Sequence, residues 1–541
     1  MQQGLVAERL PFGTRGAVVA RLGARDKLAR ELRCPADGTD AAVVRAAWDR
    51  WGEQTPNQMR GPFGFAVTDA RSVWLVRDPL GEVPLYFSRV PGGVVVGSDV
   101  ASVLADPEVS DEVDMDAVAL RLARCFRECA RRTDFRAVSK VAPGTMVRIE
   151  ADGTREFRYW RPETIGTNSR LRFEDAVDQA QELLRTAVQD RLHVDRTAVH
   201  LSGGLDSGVV AALAAEQLRD CGGVAPPATT WSPAPSDAGY GDPDRDERHL
   251  VATLGTALGL EPIYAETPRV LAAVSRPAYL LDDPPAAWLV EQTHAEVLSA
   301  AGVSTVLTGW GGDEALSMHS RLVPGELLRG AKPGLAWRAT QAPPGVTRTL
   351  RGRARYLASA TCRSAGVGVA TVDGVGSAAD VAWRRYSPEI ADARLDQQRQ
   401  WNAGTSTREL MLNRLQLGHL AARNEAWAHG GHPIGLAYLH PLQDRAVVEF
   451  ALTLPPQFFT YAGTHRRIFR AIAAGLLPAA VVAAPKVVGS DPARTQLTRQ
   501  AVVTRLPLLR QAGEHVGWPP ALLDAWLGSL ERVWYTPRTT S

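Results

Sequence analysis

The first 160 residues contain short stretches of apolar, β-branched and aromatic residues separated by polar turns, a pattern typical of β-strands. FGFAVTD (63–69) and VWLVRD (73–78) flank a polar Ala-Arg-Ser turn, which predicts a β-hairpin. PLYFSRV and GGVVVGSD form a second pair around Pro91, and Asp152 and Gly153 mark the tip of a third hairpin in VAPGTMVRIEADGTREFRYW. This part of the chain is therefore predicted to consist mainly of short, hairpin-connected strands.

A different pattern begins at Phe173, where apolar residues recur at helical spacing through FEDAVDQAQELLRTAVQDRL. A β-branched strand, TAVHL, and a helix, GVVAALAAEQL, come next, and ATTWSP, DERHLVATLGTALGL, PIYAE and VSTVLT continue the alternation. Alternating strands and helices predict a parallel, doubly wound sheet, and the pattern beyond residue 316 is mainly helical. The polar segment RPETIGTNSRLR (161–172) separates the two patterns, so we predict domains at residues 1–165 and 173–541.

Length and composition agree with two soluble domains. The chain has 541 residues, too many for one ordinary core, with 45% hydrophobic and 22% charged residues. Sixty-one basic and 59 acidic residues give a net charge of +2, which argues against a nucleic-acid-binding protein that depends on a large cationic surface. The basic run RTLRGRARY (348–356) favours a solvated helix face over a strip that binds phosphate or peptide carboxylates.

The cysteines and the apolar runs bear on the cellular compartment. Cys125 and Cys129 stand four residues apart in a helix predicted for Met115–Arg131, but no nearby His or second Cys pair completes a zinc site. The N-terminus has no signal-peptide pattern, and the longest apolar run, Ala471–Pro485, is shorter than the roughly 20 residues of a membrane span. We expect a cytoplasmic protein with reduced thiols and no membrane segment.

A glycine-rich turn follows the strand TAVHL and precedes a helix. The turn reads Ser202-Gly-Gly-Leu-Asp-Ser207, and in open α/β sheets such a strand-to-helix turn is where ligands bind. Its glycines allow close approach of an anion, and the helix start offers free N–H groups. Asp206 would repel a phosphate directly but suits a magnesium ion that bridges to phosphate oxygens. No lysine follows the glycines, so this is not the loop of γ-phosphoryl-transfer enzymes.

A second glycine-rich turn, Gly309-Trp-Gly-Gly-Asp-Glu314, follows the strand-like run VSTVLT. Two such turns at two strand ends of one sheet would bring Asp313 close to Asp206. The pair could then hold one Mg²⁺, and the alternative is two unrelated turns with solvent-facing acids. The sequence therefore predicts a magnesium–phosphate site with Asp206 and Asp313 as the metal ligands.

LSGGLDS, TGWGGDE, HPLQDRAVVEFALTLPP and RRIFRAIAAGLLPAAVVAAPK together resemble the PP-loop ATP pyrophosphatase domain of the asparagine synthetase superfamily. FGFAVTDARSVWLVRDPLGEVPLYF with GSDVASVL resembles that family's N-terminal glutaminase domain, so the resemblance covers nearly the whole chain. It implies an α/β protein with an N-terminal Ntn-type α/β/β/α sandwich. The C-terminal domain would be a PP-loop doubly wound parallel sheet with a large helical portion.

The chain departs from the glutamine-hydrolysing members of that family at its start. Those members carry a catalytic cysteine directly after the initiator Met, whereas Gln2 stands there in this chain and the first cysteine is Cys34. An amide cannot replace a thiolate nucleophile, so the N-terminal domain resembles a degenerate glutaminase. The nitrogen nucleophile is then expected on the substrate itself.

Two branches of the family use substrate amines: the β-lactam and carbapenam synthetases and the lasso-peptide macrolactam cyclases. ATTWSPAP, GWGGDEALS and ARNEAWAHGG followed by GLAYLHPLQDRAVVEFAL are more similar to the lasso cyclases. That resemblance implies ATP-dependent adenylation of an Asp or Glu side chain of a precursor peptide. The freed N-terminal amine then closes an isopeptide ring, releasing AMP and pyrophosphate. A β-lactam-type synthetase, a glutamine-independent amide ligase and a catalytically silent scaffold remain alternatives.

Residue roles follow from the resemblance. Lys486 matches a late lysine that faces the developing negative charge, although a lysine at a helix end is often dipole compensation. Glu425 resembles the glutamate of a Tyr–Glu pair that helps deprotonate the attacking amine, with Tyr386 as its candidate partner; a surface glutamate is the alternative. The residues predicted to contact the nucleotide are Leu201, Ser202, Gly203, Gly204, Leu205, Asp206, Ser207, Ser232, Gly309 and Gly312.

The resemblance also implies partners: the core peptide as substrate, a leader peptidase and a leader-recognition protein, with ATP and Mg²⁺ as cofactors and neither nucleic acid nor membrane. Asp78 and Gly81 are expected to be turn residues of the retained N-terminal scaffold, and His440, next to Pro441, is expected to be a turn residue.

Overall fold

The structure is a computed structural model. It describes residues 7–35, 37–194, 196–232, 234, 247–265, 285–341, 349–367, 378–484, 507, 510–511, 513–514 and 517–533. The expectations about Gln2 and Lys486 therefore fall outside the described residues.

Two antiparallel sheets form the N-terminal part. The five-stranded sheet has the order β2 (Gly16–Leu22), β3 (Phe63–Thr68), β4 (Ser72–Arg77), β8 (Thr145–Glu150) and β9 (Gly153–Arg158). The four-stranded sheet has the order β1 (Glu8–Pro11), β6 (Gly93–Gly97), β5 (Tyr86–Val90) and β7 (Ser139–Lys140). All three predicted hairpins are confirmed, because β3 pairs with β4, β5 with β6 and β8 with β9.

Helices cover the outer faces of both sheets. Residues of the two sheets, among them Leu75, Phe87 and Val96, form the core between them. The helices of this part are α1 (Arg25–Glu31), α2 (Asp40–Trp51), α3 (Thr55–Gln58), α4 (Val100–Leu104) and α5 (Met115–Leu122). α1 and α2 pack on the five-stranded sheet and α4 packs on the four-stranded sheet. The predicted α/β/β/α sandwich is confirmed.

The helix predicted for Met115–Arg131 ends at Leu122, so that prediction was too long. Arg124 takes a positive φ of 62°, which breaks the helical path, and the chain continues in turns. Cys125 and Cys129 are buried in those turns, and burial raises the pKa of the Cys125 thiol to about 12 and that of the Cys129 thiol to about 11. Both thiols therefore stay protonated at neutral pH.

The C-terminal part is built on a five-stranded parallel sheet. Its order is β12 (Pro262–Ile263), β11 (Ala228–Thr229), β10 (Thr197–His200), β13 (Thr305–Leu307) and β14 (Ala437–Leu439). The chain builds β11 and β12 on one side of β10 and then crosses to build β13 on the other. β10 is thus the strand at which the direction of winding reverses, the usual ligand site of such sheets.

Helices lie on both faces of this sheet, as the doubly wound prediction requires. One face is covered by α6 (Phe173–Gln189), α7 (Leu205–Asp220), α8 (Arg248–Leu258), α17 (Arg445–Thr453), α18 (Arg467–Ala474) and α19 (Ala479–Ala483). The other is covered by α9 (Pro285–Ala300) and α16 (His419–Gly431).

The predicted helical portion is also present. It comprises α10 (Val323–Arg329), α11 (Pro333–Ala339), α12 (Leu350–Ser364), α13 (Ala378–Tyr386), α14 (Pro388–Asn402), α15 (Thr407–Gln416) and α20 (Pro520–Val533), with a small hairpin of β15 (Thr460–Tyr461) and β16 (Thr464–His465). Within the described ranges, no helix combines the length and apolarity that a membrane crossing requires.

Candidate active site

A cavity of about 440 Å³ opens at the carboxyl ends of β10, β11 and β13. Its wall contains the turn that follows each of these strands, including Ser202, Ser232 and Gly309. The volume lies within the range of small-molecule sites, and the position at the reversal strand is where open α/β sheets bind ligands. The cavity is therefore the candidate active site.

The first glycine-rich turn holds itself in shape through its two serines. The Ser207 hydroxyl lies 2.7 Å from that of Ser202 and accepts from the Ser202 N–H at 3.0 Å, while the Gly204 N–H donates to Ser202 Oγ at 3.2 Å. α7 begins at Leu205 immediately afterwards. The N–H groups of its first turn have no partner within the helix, so this end of α7 can bind an anion.

The second glycine-rich turn packs directly on the first. A Cβ on Gly309 would lie 2.7 Å from the carbonyl carbon of Asp206, and one on Gly312 would lie 2.7 Å from Asp206 Oδ1. Gly311 takes a φ of 95°, a conformation that favours glycine. The glycines of this turn therefore serve to bring the two turns into backbone contact.

Gly309→Ala should weaken nucleotide binding. The added methyl pushes against the backbone of Asp206 and Ser207, and overpacking of this kind costs about 1–3 kcal/mol. Calorimetric titration with a non-hydrolysable ATP analogue measures the change in Kd. Gly166→Ala is the matched control, since no atom lies within 4 Å of its Cβ position. Unchanged affinity in Gly309→Ala would show that the contact between the turns does not shape the site.

Asp206 and Asp313 both line the cavity, and Arg466 lies between them. The Arg466 guanidinium bonds Asp206 Oδ2, lies 3.6 Å from Asp313 Oδ1 and donates from Nε to the Ser317 carbonyl at 3.0 Å. Burial alone would lower the pKa of Arg466, but the two aspartates raise it above its ordinary value. Arg466 also has a φ of 55°, an uncommon conformation for a residue with a side chain. Sequence reasoning did not identify it.

The two carboxylates fit a magnesium ion. Mg²⁺ is bound by one or two protein carboxylates and completes its shell with water and phosphate oxygens. Within the described residues, no cluster of three or more His, Cys, Asp or Glu side chains could hold a metal alone. A metal at this place therefore depends on the phosphates of a bound nucleotide, and Arg466 supplies the positive charge between the carboxylates.

Three tryptophans also line the cavity: Trp231, Trp310 and Trp427. The Arg423 guanidinium lies 5.1 Å from the Trp310 ring centre and 5.5 Å from that of Trp427, within the range of cation–π contact. This aromatic and cationic wall was also missed from the sequence. The cavity wall thus combines turns and carboxylates with aromatic rings and a guanidinium.

Most of the predicted nucleotide residues lie together. The cavity wall includes Leu201, Ser202, Gly203, Gly204, Leu205, Asp206, Ser207, Ser232, Gly309 and Asp313. Gly312 lies behind Asp206. Their contacts with a nucleotide remain predictions, as does the role of Lys486.

The structure contradicts the pairing of Glu425 with Tyr386. Glu425 accepts from Arg77 Nη1 at 2.9 Å and from Lys140 Nζ at 2.8 Å, both in the N-terminal domain, and is absent from the cavity wall. Arg423 and Trp427 of the same helix line the cavity, and residues two apart on a helix point in different directions. Tyr386 packs on Trp383 in a separate core with α5 and α20. The structure therefore does not bring the two residues together, and neither is part of the cavity wall.

Glu425→Gln should lower stability rather than remove catalysis. Burial alone would raise the pKa of Glu425, but Lys140 and Arg77 outweigh it and lower the pKa. The ion pair thus stabilises the fold at neutral pH, and the contribution is lost as the pH falls through the lowered value. We expect a loss of about 2 kcal/mol in denaturant unfolding at pH 7 and little difference at acidic pH.

The control is Glu156→Gln, which removes an exposed pair with Arg131 and should cost less than about 1 kcal/mol. Loss of amide formation in Glu425→Gln at unchanged stability would restore the catalytic role for Glu425.

A second buried ion network joins the two domains. Arg191 donates to Glu82 Oε1 at 2.5 Å and to Asp444 Oδ2 at 2.9 Å, and the His440 N–H donates to Glu82 Oε2 at 2.9 Å. His440 begins the 3₁₀ turn Pro441–Gln443, as expected, and its Nδ1 lies 2.7 Å from Thr308 Oγ1. The N-terminal domain is thus bonded to the turn after β14, which in turn contacts Thr308 of the cavity wall.

Asp78 is a turn residue, as predicted. Its carboxylate accepts from the N–H groups of Leu80, Glu82 and Val83 at 2.9–3.1 Å. Burial, and to a lesser extent the negative charge of nearby Glu82, raises the pKa of Asp78 to about 6. Gly81, with a φ of 69°, completes the turn.

Comparison with known families and proteins identifies both parts of the chain. A family described as "Asparagine synthase" matches residues 179–513, and a "Glutamine amidotransferase domain" matches residues 16–160. Asparagine synthetase (glutamine-hydrolyzing) 3 of Bacillus subtilis is 29% identical over 185 residues, which cover 33% of this chain and 29% of that protein. Amidase chyE of Penicillium rubens is 30% identical over 210 residues, covering 36% and 29%. The match spans less than a third of the length of each of these relatives.

Proposed function

Because the chain belongs to the asparagine synthase family, we propose that it is an ATP-dependent, AMP-forming carbon–nitrogen ligase whose nitrogen nucleophile is part of the substrate. The observation that carries this proposal is the cavity in which Asp206, Asp313 and two glycine-rich turns meet. The proposed specific reaction is that of a lasso-peptide cyclase. An Asp or Glu side chain of a precursor peptide is adenylated, and the N-terminal amine of the peptide closes the ring.

The adenylation half of the reaction is supported by the charges around the cavity. Pyrophosphate leaves as a highly charged anion, so its departure is favoured by positive charge and N–H donors fixed at that place. The helix start at Leu205 supplies N–H groups, and Arg466 supplies a buried guanidinium. A magnesium ion bound by Asp206 and Asp313 would neutralise further phosphate charge. Lys486 is proposed to add to this set.

The state of the cysteine thiols supports a substrate amine, rather than glutamine, as the source of nitrogen. Glutamine hydrolysis by a domain of this kind needs a thiolate nucleophile. Cys125 and Cys129 in the N-terminal half are buried with raised pKa values, and Cys34 packs on the core of the five-stranded sheet. These placements support a domain kept as a scaffold, which bonds to the synthetase domain through Glu82 and Arg77.

We also propose the partner proteins and the cellular location that this reaction requires. A leader peptidase and a leader-recognition protein would supply the freed core peptide, and the reaction would take place in the cytoplasm, where ATP is available. Neither nucleic acid nor a membrane enters the reaction.

The test uses the purified protein with ATP, Mg²⁺ and the leader-free form of the precursor peptide encoded beside it. The expected products are a peptide lighter by one water, one AMP and one pyrophosphate for each ring. Tandem mass spectrometry should place the bond between the N-terminus and an Asp or Glu side chain. Parallel reactions contain a small β-amino acid, or aspartate with ammonia. Turnover of the β-amino acid alone would indicate a β-lactam-type synthetase, and turnover of aspartate alone a simple amide ligase.

A further inference from the structure

A histidine of the cavity wall is attached to a buried carboxylate. His200 is the last residue of β10, two positions before Ser202, and lines the cavity with 14% of its side chain exposed. Its Nε2 lies 3.0 Å from Glu291 Oε1 of α9, whose side chain is fully buried. Among the described residues, Nδ1 of His200 has no hydrogen-bond partner, so this nitrogen is available to a molecule bound in the cavity.

Glu291 is held in place by further donors. The Tyr438 hydroxyl donates to Oε1 at 2.6 Å, and the Trp231 indole N–H donates to Oε2 at 2.6 Å. Burial alone would raise the pKa of Glu291, but His200, His294 and Tyr438 outweigh it and lower the pKa to about 2. The carboxylate is therefore an anion at physiological pH and fixes the imidazole with Nε2–H directed at it.

Several titratable side chains and an arginine surround His200. His294 faces it from α9 and His440 from the turn after β14, and burial lowers the pKa of both. Both rings are therefore neutral at pH 7. Tyr438 of β14 has a pKa raised by burial and by Glu291, so it too stays neutral. Arg423 of α16 lines the same cavity, and its guanidinium lies over Trp310 and Trp427.

We propose that His200 is the proton acceptor for the amine that attacks the acyl-adenylate, and that Glu291 is the positioning residue that orients His200 for this step. The inference rests on the proposed function and assigns the base of its second half-reaction. It replaces the pair predicted from Glu425 and Tyr386, neither of which lies in the cavity wall.

The proposed step forms one bond, breaks one bond and transfers one proton. The neutral amine nitrogen attacks the carbonyl carbon of the acyl-adenylate and forms the C–N bond. One N–H proton passes to Nδ1 of His200, the C–O bond to the α-phosphate breaks, and AMP leaves with the electron pair. The resulting imidazolium is stabilised by the Glu291 anion, and its proton then passes to water. No oxidant or further reactant is needed.

In this arrangement the base that activates the nucleophile is itself oriented by a carboxylate, as in many enzymes with an activated nucleophile. A second His–Glu pair, His419 with Glu314 at 3.1 Å, lies nearby, but His419 is buried and is not part of the cavity wall. His200 is therefore distinguished by contact with the cavity, not by having a carboxylate partner.

The test separates adenylation from amide formation. His200→Gln keeps an amide that can donate to Glu291 but removes the basic nitrogen. With the peptide that the wild type cyclises, ring formation should fall at least about 100-fold at pH 7, the usual contribution of general-base catalysis. An N-acetylated form of the same peptide, supplied with hydroxylamine, reports adenylation alone. Hydroxylamine is largely neutral at pH 7 and needs no base, so hydroxamate formation should stay within a few-fold of the wild type.

Two further readouts exclude a purely structural role. Ring formation by His200→Gln should rise steeply with pH, as the free amine deprotonates in solution, whereas that of the wild type should level off. Glu291→Gln should show the same separation of the two activities.

The outcomes distinguish the two claims. Equal losses of hydroxamate and ring in His200→Gln, or no loss of ring, would overturn the base assignment while leaving the proposed function in place. Failure of the wild-type protein to release AMP with any of the carboxylate substrates would overturn both.

Discussion

Asp206→Asn is expected to reduce AMP formation at least about 100-fold. Loss of a residue that only hydrogen-bonds to a metal ligand typically costs about 10–100-fold, and loss of a direct ligand should cost more. Asparagine is neutral and cannot balance a divalent cation. The change also removes the carboxylate that bonds the Arg466 guanidinium. The measurement is AMP release by chromatography in the presence of ATP, Mg²⁺ and the peptide substrate.

The fold should survive this change. Asp206 lies in the first turn of α7 and bonds the buried Arg466 guanidinium, so the change should lower the thermal midpoint. It should not prevent folding, because Asp313 Oδ1 remains 3.6 Å from that guanidinium. Asp220→Asn at the exposed end of the same helix is the matched control and should keep full activity. Normal AMP release by Asp206→Asn would contradict the role of the two carboxylates in binding the metal–nucleotide complex.

Arg191→Met is expected to lower the free energy of unfolding by about 3–5 kcal/mol, the largest stability change that we predict. Burial alone would lower the pKa of Arg191, but Glu82 and Asp444 raise it, so the guanidinium is charged at every accessible pH. Its removal leaves the buried Glu82 carboxylate without its ion-pair partner. Denaturant unfolding followed by tryptophan fluorescence measures the change.

The control for Arg191 is Arg158→Met, which removes an exposed pair with Glu163 and should cost less than about 1 kcal/mol. The double variant Arg191→Met with Glu82→Gln should recover part of the loss, since the more deeply buried of the two carboxylates is then no longer left unpaired. If Arg191→Met is as stable as Arg158→Met, the bonds between the domains do not stabilise the protein.

The parts of the fold that could be predicted from the sequence are those encoded locally. Strand periodicity and the Asp152–Gly153 tip predicted the hairpin of β8 and β9, and the alternation after Phe173 predicted the parallel sheet. The two glycine-rich turns were predicted to meet because strand ends of a parallel sheet share an edge. Each of these inferences depends on neighbouring residues or on a general rule of sheet topology.

Residues that act across long distances in the chain were missed. Arg466 lies 260 positions after Asp206 and precedes an ordinary amphipathic helix, so nothing local marks it. Glu291 had a usable signal: it is a carboxylate within the apolar run PAAWLVEQTHAEVLSA, and such a residue is usually buried with a partner. Its partner His200 lies on another element, and only the fold brings the two together.

Glu425 shows a different limit of sequence reasoning. The resemblance placed it in a segment near the active site, and α16 does border the cavity. Which side of the helix faces the cavity depends on packing, and Trp427 and Arg423 occupy that side. Glu425 therefore turns to Arg77 and Lys140, where it joins the two domains.

The most direct test of the central claim follows oxygen from the substrate carboxylate. The leader-free peptide is prepared with ¹⁸O in its Asp and Glu side chains and incubated with the protein, ATP and Mg²⁺. Adenylation followed by attack of the substrate amine predicts one ¹⁸O atom in the phosphate of AMP for each ring formed, and none in pyrophosphate. Formation of ADP, or AMP without ¹⁸O beside a cyclised peptide, would contradict the account.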